Sequence, residues 1–375
     1  MKIFIIGSVA SMMINFRREL ILELVNQNHE VYCLTSDYTK ESKEVIKSFG
    51  AKPIDYDLNA KGINPFNDII ATFKLARIIK KYKPDVVFSF FVKPVIFATL
   101  AAKFVKTPRI VGMIEGLGGA FTLHKKGQTL KAKIIKFIQI LLYKISLPLL
   151  DKLIFLNDDD KTDLLSNHKI KVKNVEILGG IGVDLNKFTY CKAPTDHISF
   201  IFIARLLAEK GIFEYLQAAK IIKSEFSEVN FYIFGGFEDK NPFGLKQNEL
   251  QSYLKDGIVI YHGFVNNISE WLKNSSVFVL PSYYREGVPR STQEAMAIGR
   301  PIITTNVAGC KDTVKDGENG FLIPPYDSEI LAQKMLYFLQ NPNEVNRMGK
   351  NSRKMAEERF DIFNINKKLI KFIIG

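Results

Sequence analysis

Glu286 and Glu294 stand eight residues apart and bracket the turn Gly287-Val288-Pro289, directly after the apolar run SVFVLPS at 276–282. The order of apolar run, glycine turn and amphipathic segment predicts a strand, a loop carrying Glu286, and a helix from about Ser291 whose first turn holds Glu294. Backbone at Gly287 can approach a ligand closely, and the free amides at a helix start suit a phosphate. A carboxylate that accepts two hydroxyl hydrogen bonds suits a ribose. The helix macrodipole alone also favours carboxylates in this place, so the pair by itself leaves ligand binding and ordinary capping both open. Arg205 and Lys210, five apart, follow the apolar run ISFIFIA at 198–204, with Gly211 opening the next helix. Two cations on such a loop can neutralise a diphosphate leaving group; a solvated basic loop would look the same.

Other stretches carry less. Gly7-Ser8 ends the first apolar run, where a tight turn and a backbone approach to a ligand are equally good readings. MIEGLGGAF at 113–121 puts Glu115 in a glycine-rich loop, facing either hydroxyl groups or solvent. The segment 124–150 holds six lysines and no acid, since the next carboxylate after Glu115 is Asp151. It reads as a basic amphipathic helix with an apolar stripe of Ile134, Ile135, Ile138, Leu141, Leu142 and Ile145. That stripe can pack on a sheet while the lysines, with those of the preceding loop, face an anionic leaflet. Lys125, Lys126, Lys131, Lys133 and Lys136 are the membrane-facing candidates. Asp158-Asp159-Asp160 reads as helix capping rather than a metal site, and the five histidines show no ligand spacing. The expectation is no metal.

These residues need a frame, and the chain supplies two. Apolar runs alternate with amphipathic helices from KIFIIG (2–7) through HEVYCLTS, AKPIDYDL, PDVVFSF, RIVGMIE and DKLIFLN to VEILGG, with helices over Asn15–Asn26, Pro65–Tyr82 and Val95–Lys103. The alternation restarts at ISFIFIA and runs through NFYIFGG, IVIYHGF, SVFVLPS and RPIITTN to NGFLIPP, with helices over Gly211–Ser224 and Ser291–Ile298. Continuous apolar strands are those of parallel sheets covered on both faces. The fold class is therefore α/β, two Rossmann-like doubly wound parallel-sheet domains, with the polar stretch TYCKAPTDH (189–197) as linker and a site at the carboxyl ends of each sheet.

The chain has 375 residues, 47% hydrophobic and 24% charged, which excludes disorder and fits two or three domains. Three scattered cysteines, Cys33, Cys191 and Cys310, make neither a disulfide framework nor a zinc site. The first residues lack the features of a secretory signal, and no uncharged apolar run reaches the ~18 residues of a spanning helix. A cytoplasmic location is expected. The net charge of +13 is uneven: residues 1–190 hold 29 Lys and Arg against 18 Asp and Glu, the remainder 23 against 21. A basic N-terminal half meets something anionic. No nucleic-acid module signature is present, and nucleic acid is not expected as a partner.

The pattern P-S-x3-E-G-x-P-x4-E-A-x-A-x-G-x-P-I, followed by NGFLIPP, resembles the donor-binding segment of family-four retaining glycosyltransferases of GT-B fold. The resemblance covers most of the chain. It implies two domains facing a central cleft: residues 1–189 for the acceptor, with a last helix at about 360–375 packing back on them, and 190–359 for a nucleotide sugar. It implies that Glu286, Arg205 and Lys210 are catalytic, with Glu286 beside the donor sugar and the two cations on the diphosphate. Glu294 would bind the ribose, and Gly287, Val288, Arg290 and Ser291 complete the nucleotide-sugar set. Gly7, Ser8, Lys93 and Glu115 are the acceptor-side candidates. The chain departs from the family at Gly7-Ser8, where a Gly-Gly pair is frequent, and at Glu115, where many relatives have histidine. The E-G-L-G form resembles the branch acting on polyprenyl-diphosphate-linked sugars, which includes bacterial N-glycan and O-antigen N-acetylgalactosaminyltransferases. Implied partners are a UDP-sugar co-substrate, a polyprenyl-diphosphate-linked sugar acceptor and an anionic membrane surface on the cytoplasmic side, with no cofactor. The rival readings are a soluble sugar or sugar-phosphate transferase, an epimerase of similar fold, and a non-catalytic binding protein on a degenerate version of it.

Overall fold

The computed structural model describes residues 1–58, 65–125, 127–239 and 241–375. They form two compact units, one of Met1–Ala120, Gln128–Ile181 and Ile362–Gly375, the other of Phe121–Gly127 and Gly182–Asp361.

In the first unit seven strands pair in parallel: β1 (Lys2–Ile6), β2 (Glu30–Thr35), β3 (Lys52–Asp55), β4 (Val86–Phe90), β5 (Arg109–Ile114), β6 (Lys152–Phe155) and β7 (Val175–Ile177). Their order is β3-β2-β1-β4-β5-β6-β7. β4 is buried at every position and β1 and β5 at all but the first, so apolar residues need not alternate. The crossovers from β1 to β2 to β3 run one way across the sheet, and those from β3 to β4 to β5 to β6 run the other. Right-handed connections therefore place the helices Ala10–Asn26 and Lys40–Ser48 on one face and Pro65–Tyr82, Val92–Phe104 and Leu130–Ser146 on the other. The contacts agree: Val92–Phe104 packs between Pro65–Tyr82 and Leu130–Ser146. The last helix, Ile362–Ile374, lies against Ala10–Asn26, and Arg109 donates to the carbonyls of Ile373 (2.6 Å) and Phe372 (3.1 Å).

Two expectations shift here. The first helix starts at Ala10 rather than Asn15. Val9 gives it no side-chain cap, and Asp37 Oδ1, distant in sequence, accepts the Ala10 N–H at 2.6 Å instead. The basic helix starts at Leu130 rather than 124, where Thr129 Oγ1 accepts the Ala132 N–H at 3.2 Å.

The second unit has β8 (Ser199–Ile203), β9 (Asn230–Phe234), β10 (Ile260–Tyr261), β11 (Val277–Leu280), β12 (Ile302–Thr305) and β13 (Gly320–Ile323), in the parallel order β10-β9-β8-β11-β12-β13. Of IVIYHGF only two residues pair, at the sheet edge with a single neighbour. Both sheets reverse direction at their middle, β1/β4 and β8/β11, where open α/β sheets place ligands.

The stretch 189–197 is held on the second unit rather than strung out as a linker. Cys191 N–H bonds Ile298 O (3.0 Å), Ala193 N–H bonds Asn346 Oδ1 (3.0 Å), and Ser276 Oγ bonds Pro194 O (2.8 Å). Arg300, fully buried, donates to the carbonyls of Ser275 (2.7 Å) and Ile298 (3.3 Å) and to that of Cys191. Burial lowers its guanidinium to about 10. Arg300→Ala strips these buried carbonyls of their donor and should lower the unfolding free energy by about 3 kcal/mol in urea titration. Unchanged stability would mean the stretch is held without it.

Candidate active site

In the second unit the loops after β8 and β11 meet as bare backbone. Gly211 has φ +78°, and a Cβ there would lie 2.2 Å from Pro281 O, so only glycine fits. The carbonyl of Glu209, two residues earlier, accepts the N–H groups of Tyr283 and Tyr284 (both 2.9 Å). This lashing brings Lys210 onto Glu286: Nζ lies 2.7 Å from Oε2, while Ser282 Oγ donates to Oε1 at 2.8 Å. The pair is nearly buried, with side chains 11% and 13% exposed, and the ammonium stands 5.0 Å above the Tyr284 ring. Gly309, after β12, closes the far side; a Cβ there would sit 2.4 Å from Gly287 O.

The helix runs Arg290–Ile298, uncapped by any side chain, and because it starts at Arg290 rather than Ser291, Glu294 lies one turn in rather than in the first turn as expected. Arg290 Nε reaches its Oε1 at 3.1 Å, and burial pushes the carboxyl above the usual range against the pull of Arg290 and Lys187. Val288 is buried and its carbonyl accepts from Gln293 Nε2 at 3.1 Å. Ser291 and Arg290 are half-buried. Arg205 is half-exposed, 3.5 Å from Glu238, and it and Lys210 both act on the carboxylate of Glu209. The structure thus gathers Lys210 with Glu286 between the loops after β8 and β11, and Arg290 with Glu294 on the helix that follows the second loop.

Several residues here carried no sequence signal. Glu209 is buried with Oε2 lacking a hydrogen-bond partner, and desolvation raises its pKa. Glu214, also raised by burial, has a buried Oε2 in the same state. The segment 121–127 lies on this unit: His124 stacks on Phe243 at 4.6 Å, the Tyr326 hydroxyl donates to Leu123 O, and Thr122 Oγ1 accepts the Arg285 N–H at 3.2 Å. Lys125, a membrane-facing candidate, stands exposed on this segment rather than on the basic helix, and its charge acts on Glu214. Lys126 lies outside the described residues.

In the first unit the acceptor-side candidates end the central strands. A Cβ on Gly7 would come within 2.5 Å of Phe90 Cζ, so the glycine serves packing, and its carbonyl accepts from Tyr56 Oη at 2.9 Å. The carbonyl of Ser8 accepts from Ser36 Oγ at 2.8 Å. Glu115 is no solvated loop residue: it is buried in an ion pair with Arg17, whose guanidinium lies 4.5 Å over the Phe90 ring. Arg17, 2% exposed, is the residue the sequence reading missed on this side. Lys93 turns to Asp68 at 2.9 Å, and both are largely buried. Beside them an open cleft of about 640 Å³ is lined by Ser36, Asp37, Asn67, Asp68 and the Asp57–Lys74 ion pair among apolar side chains. Asp158–Asp160 start a short helix, with Asn157 Oδ1 accepting the Asp160 N–H at 2.7 Å.

Residues 189–355 match the glycosyl transferases group 1 family and residues 2–157 the glycosyl transferase 4-like family. The N,N'-diacetylbacillosaminyl-diphospho-undecaprenol alpha-1,3-N-acetylgalactosaminyltransferase of Campylobacter jejuni is 28% identical, over 94% of this chain and 93% of that protein. The UDP-Gal:alpha-D-GlcNAc-diphosphoundecaprenol alpha-1,3-galactosyltransferase of Escherichia coli is 28% identical, over 80% and 78%. A glycosyltransferase crystal structure from Rickettsia africae superposes with a TM-score of 0.78 at 18% identity, over 99% of this chain and 97% of that one, which establishes the shared GT-B fold.

Glu209 also sets a pH dependence. Its folded pKa is above its unfolded value, so between the two the folded state holds the extra proton. Stability from that proton is present at low pH and lost as pH rises through the folded value. Glu209→Gln, neutral throughout, should gain stability relative to the native chain on going from pH 4.5 to pH 7, measured by denaturant unfolding at both ends. A constant difference would show that the carboxyl titrates alike in the folded and unfolded chain.

Proposed function

We propose that this chain, which belongs to the glycosyltransferases of GT-B fold and acts in polysaccharide or glycan assembly, moves a sugar from a UDP-sugar to an undecaprenyl-diphosphate-linked sugar with retention of configuration. The observation that carries the reading is the nearly buried Lys210–Glu286 pair, held by backbone between the loops after β8 and β11. A donor diphosphate competes with Glu286 for the ammonium, and the displaced carboxylate keeps its Ser282 hydrogen bond and turns to the sugar hydroxyls. Arg205 adds the second positive charge, so the diphosphate is met by side chains and the reaction needs neither metal nor cofactor. Glu294 takes the ribose hydroxyls; Gly287, Val288, Arg290 and Ser291 border the sugar and phosphates.

The acceptor hydroxyl attacks the anomeric carbon on the face the diphosphate leaves. The C–O bond to the diphosphate breaks, the new glycosidic bond forms, and the hydroxyl proton passes to a β-phosphate oxygen, releasing UDP. Lys210 and Arg205 stabilise the charge that builds on that oxygen. The E. coli relative's name supplies the UDP donor and both curated relatives' names the lipid diphosphate acceptor; N-acetylgalactosamine as the sugar follows the C. jejuni relative. The work is done at the inner face of the cytoplasmic membrane, in O-antigen, capsule or related glycan assembly. Gly7, Ser8 and the Arg17-braced Glu115 attend the acceptor.

With UDP-N-acetylgalactosamine and an undecaprenyl-diphosphate-linked sugar, in excess chelator, we expect one sugar to be added in α linkage. Lys210→Ala should cut kcat/KM by roughly 2–4 kcal/mol of transition-state stabilisation. Turnover near that of the native chain would remove Lys210 from the site, and no transfer from any UDP-, GDP- or ADP-sugar would overturn the reading.

The two glutamates separate in calorimetry. Glu294→Ala should weaken UDP binding, whereas Glu286→Ala should leave it nearly intact and slow turnover. Because the Glu294 carboxyl is raised by burial, UDP affinity should fall as pH is lowered toward the ordinary carboxylate range, a slope that Glu294→Gln abolishes. Equal losses in both alanine variants would refute the division of roles.

A further inference from the structure

The apolar stripe of the basic helix does not pack as a core stripe. Leu130, Ile134, Phe137, Leu141 and Ile145, spaced by three or four residues and so on one helix face, are all exposed, from 49% to 76%. The helix covers its neighbour Val92–Phe104 with a second, half-buried face that includes Ile135, Ile138 and Leu142. The same occurs two helices away. Phe66, Ile69, Ile70 and Phe73 stand out from Pro65–Tyr82, at 53% to 80%, while Leu75 and Ile79 face inward. Phe104, 71% exposed at the end of the middle helix, touches Phe73 edge-on at 5.9 Å.

These three helices lie side by side on one face of the first sheet. They hold 48 residues, yet ten of the nineteen exposed large apolar side chains among the described residues. That concentration is far from the scatter normal on a soluble surface. Charge follows it. The three helices carry ten Lys and Arg and one acid, Asp68, which is buried against Lys93. Lys131, Lys133, Lys144, Lys103, Arg77 and Lys80 are exposed among the apolar residues. No helix among the described residues is long and apolar enough to cross a membrane.

We infer that the outer face of the helices Pro65–Tyr82, Val92–Phe104 and Leu130–Ser146 inserts its aromatic and aliphatic side chains into the headgroup region of an anionic bilayer. Charge chooses this occupant. A surface of lysines interleaved with phenylalanines matches anionic headgroups above acyl chains, whereas a second copy of the same face would set cation against cation. Lys136, half-buried on this helix, contributes least. The inference rests on the lipid-linked acceptor for its purpose but not for its physics: each apolar side chain moved from water adds affinity whatever the enzyme transfers.

The test uses vesicles of phosphatidylcholine with and without phosphatidylglycerol. The native chain should sediment with the anionic vesicles and keep part of its binding at about 1 M salt, where exposed charges are screened. Phe66→Ser, Phe73→Ser, Phe137→Ser and Leu141→Ser together should lower the partition coefficient about tenfold or more and abolish the salt-resistant part. Lys131→Gln, Lys133→Gln and Lys144→Gln together should remove the preference for phosphatidylglycerol. A single Phe137→Trp change, close in size, should shift its emission to the blue and be quenched by brominated lipids. Native thermal stability and UDP affinity in the same variants show that the fold is kept. No vesicle binding, binding untouched by the serine changes, or a dimer that those changes dissolve would overturn the inference. Intact vesicle binding with no sugar transfer to any acceptor would overturn the transfer reading and leave this one standing.

Discussion

The contact of Gly211 with Pro281 O governs what the second unit can do. Two loops that leave neighbouring strands, β8 and β11, approach there with no side chain between them. The Glu209 carbonyl then takes the N–H groups of Tyr283 and Tyr284, which ties the two loops together. Backbone held this way has no rotamers left to freeze when a ligand arrives, and the cost of ordering the site falls on folding rather than on binding. Lys210 and Glu286 inherit their separation from that contact, and Gly309 extends it by pressing on Glu286-Gly287 from the β12 side.

The pairing that results has a built-in direction. An ammonium with one carboxylate partner is nearly neutralised and close to buried, so removing both charges from water was costly and their mutual attraction offsets it. In the proposed reaction a diphosphate, which brings more charge than Glu286, would take the ammonium without leaving the carboxylate orphaned, because the Ser282 hydroxyl stays with it. Glu115 in the first unit follows a different rule. Arg17 is fixed over the Phe90 ring and pressed between strand ends, so its pair with Glu115 is structural scaffolding that presents a carboxylate in one orientation. The phenyl ring that holds Arg17 is also the one that requires glycine at position 7.

The fold class was legible because the apolar runs were continuous and the helices between them had the right length; both sheets and their restart near 198 follow from that pattern. What stayed illegible was whatever depends on partners far along the chain. The helix at Ala10 is capped by Asp37, which no local motif announces. The stretch 189–197 looks like a linker by composition, yet Arg300 and Asn346 hold it down. Segment 121–127 looked like the start of a basic helix, and stacking of His124 on Phe243 assigns it to the other unit. Among the site residues, spacing pointed to Glu286, Glu294, Arg205 and Lys210. Glu209 and Arg17 were invisible, since nothing in their neighbours' identities shows that they are buried.

Charge asymmetry along the chain now has a physical location. In the second unit the candidate cations are few, and Lys210 and Arg290 are largely buried and paired with carboxylates. Such charges are shielded from salt and set in place, as the proposed role on a diphosphate would demand. In the first unit the surplus is gathered on three adjacent helices, mostly exposed, on flexible stems among apolar side chains. Charges of that kind hold nothing in a fixed geometry and are screened within about 8 Å at physiological ionic strength. They suit a partner that is itself fluid and extended. The residues between them support the same inference. Hydration alone would satisfy a purely basic face, but exposed phenylalanines at 66, 73, 104 and 137 carry a cost in water that only an apolar partner removes.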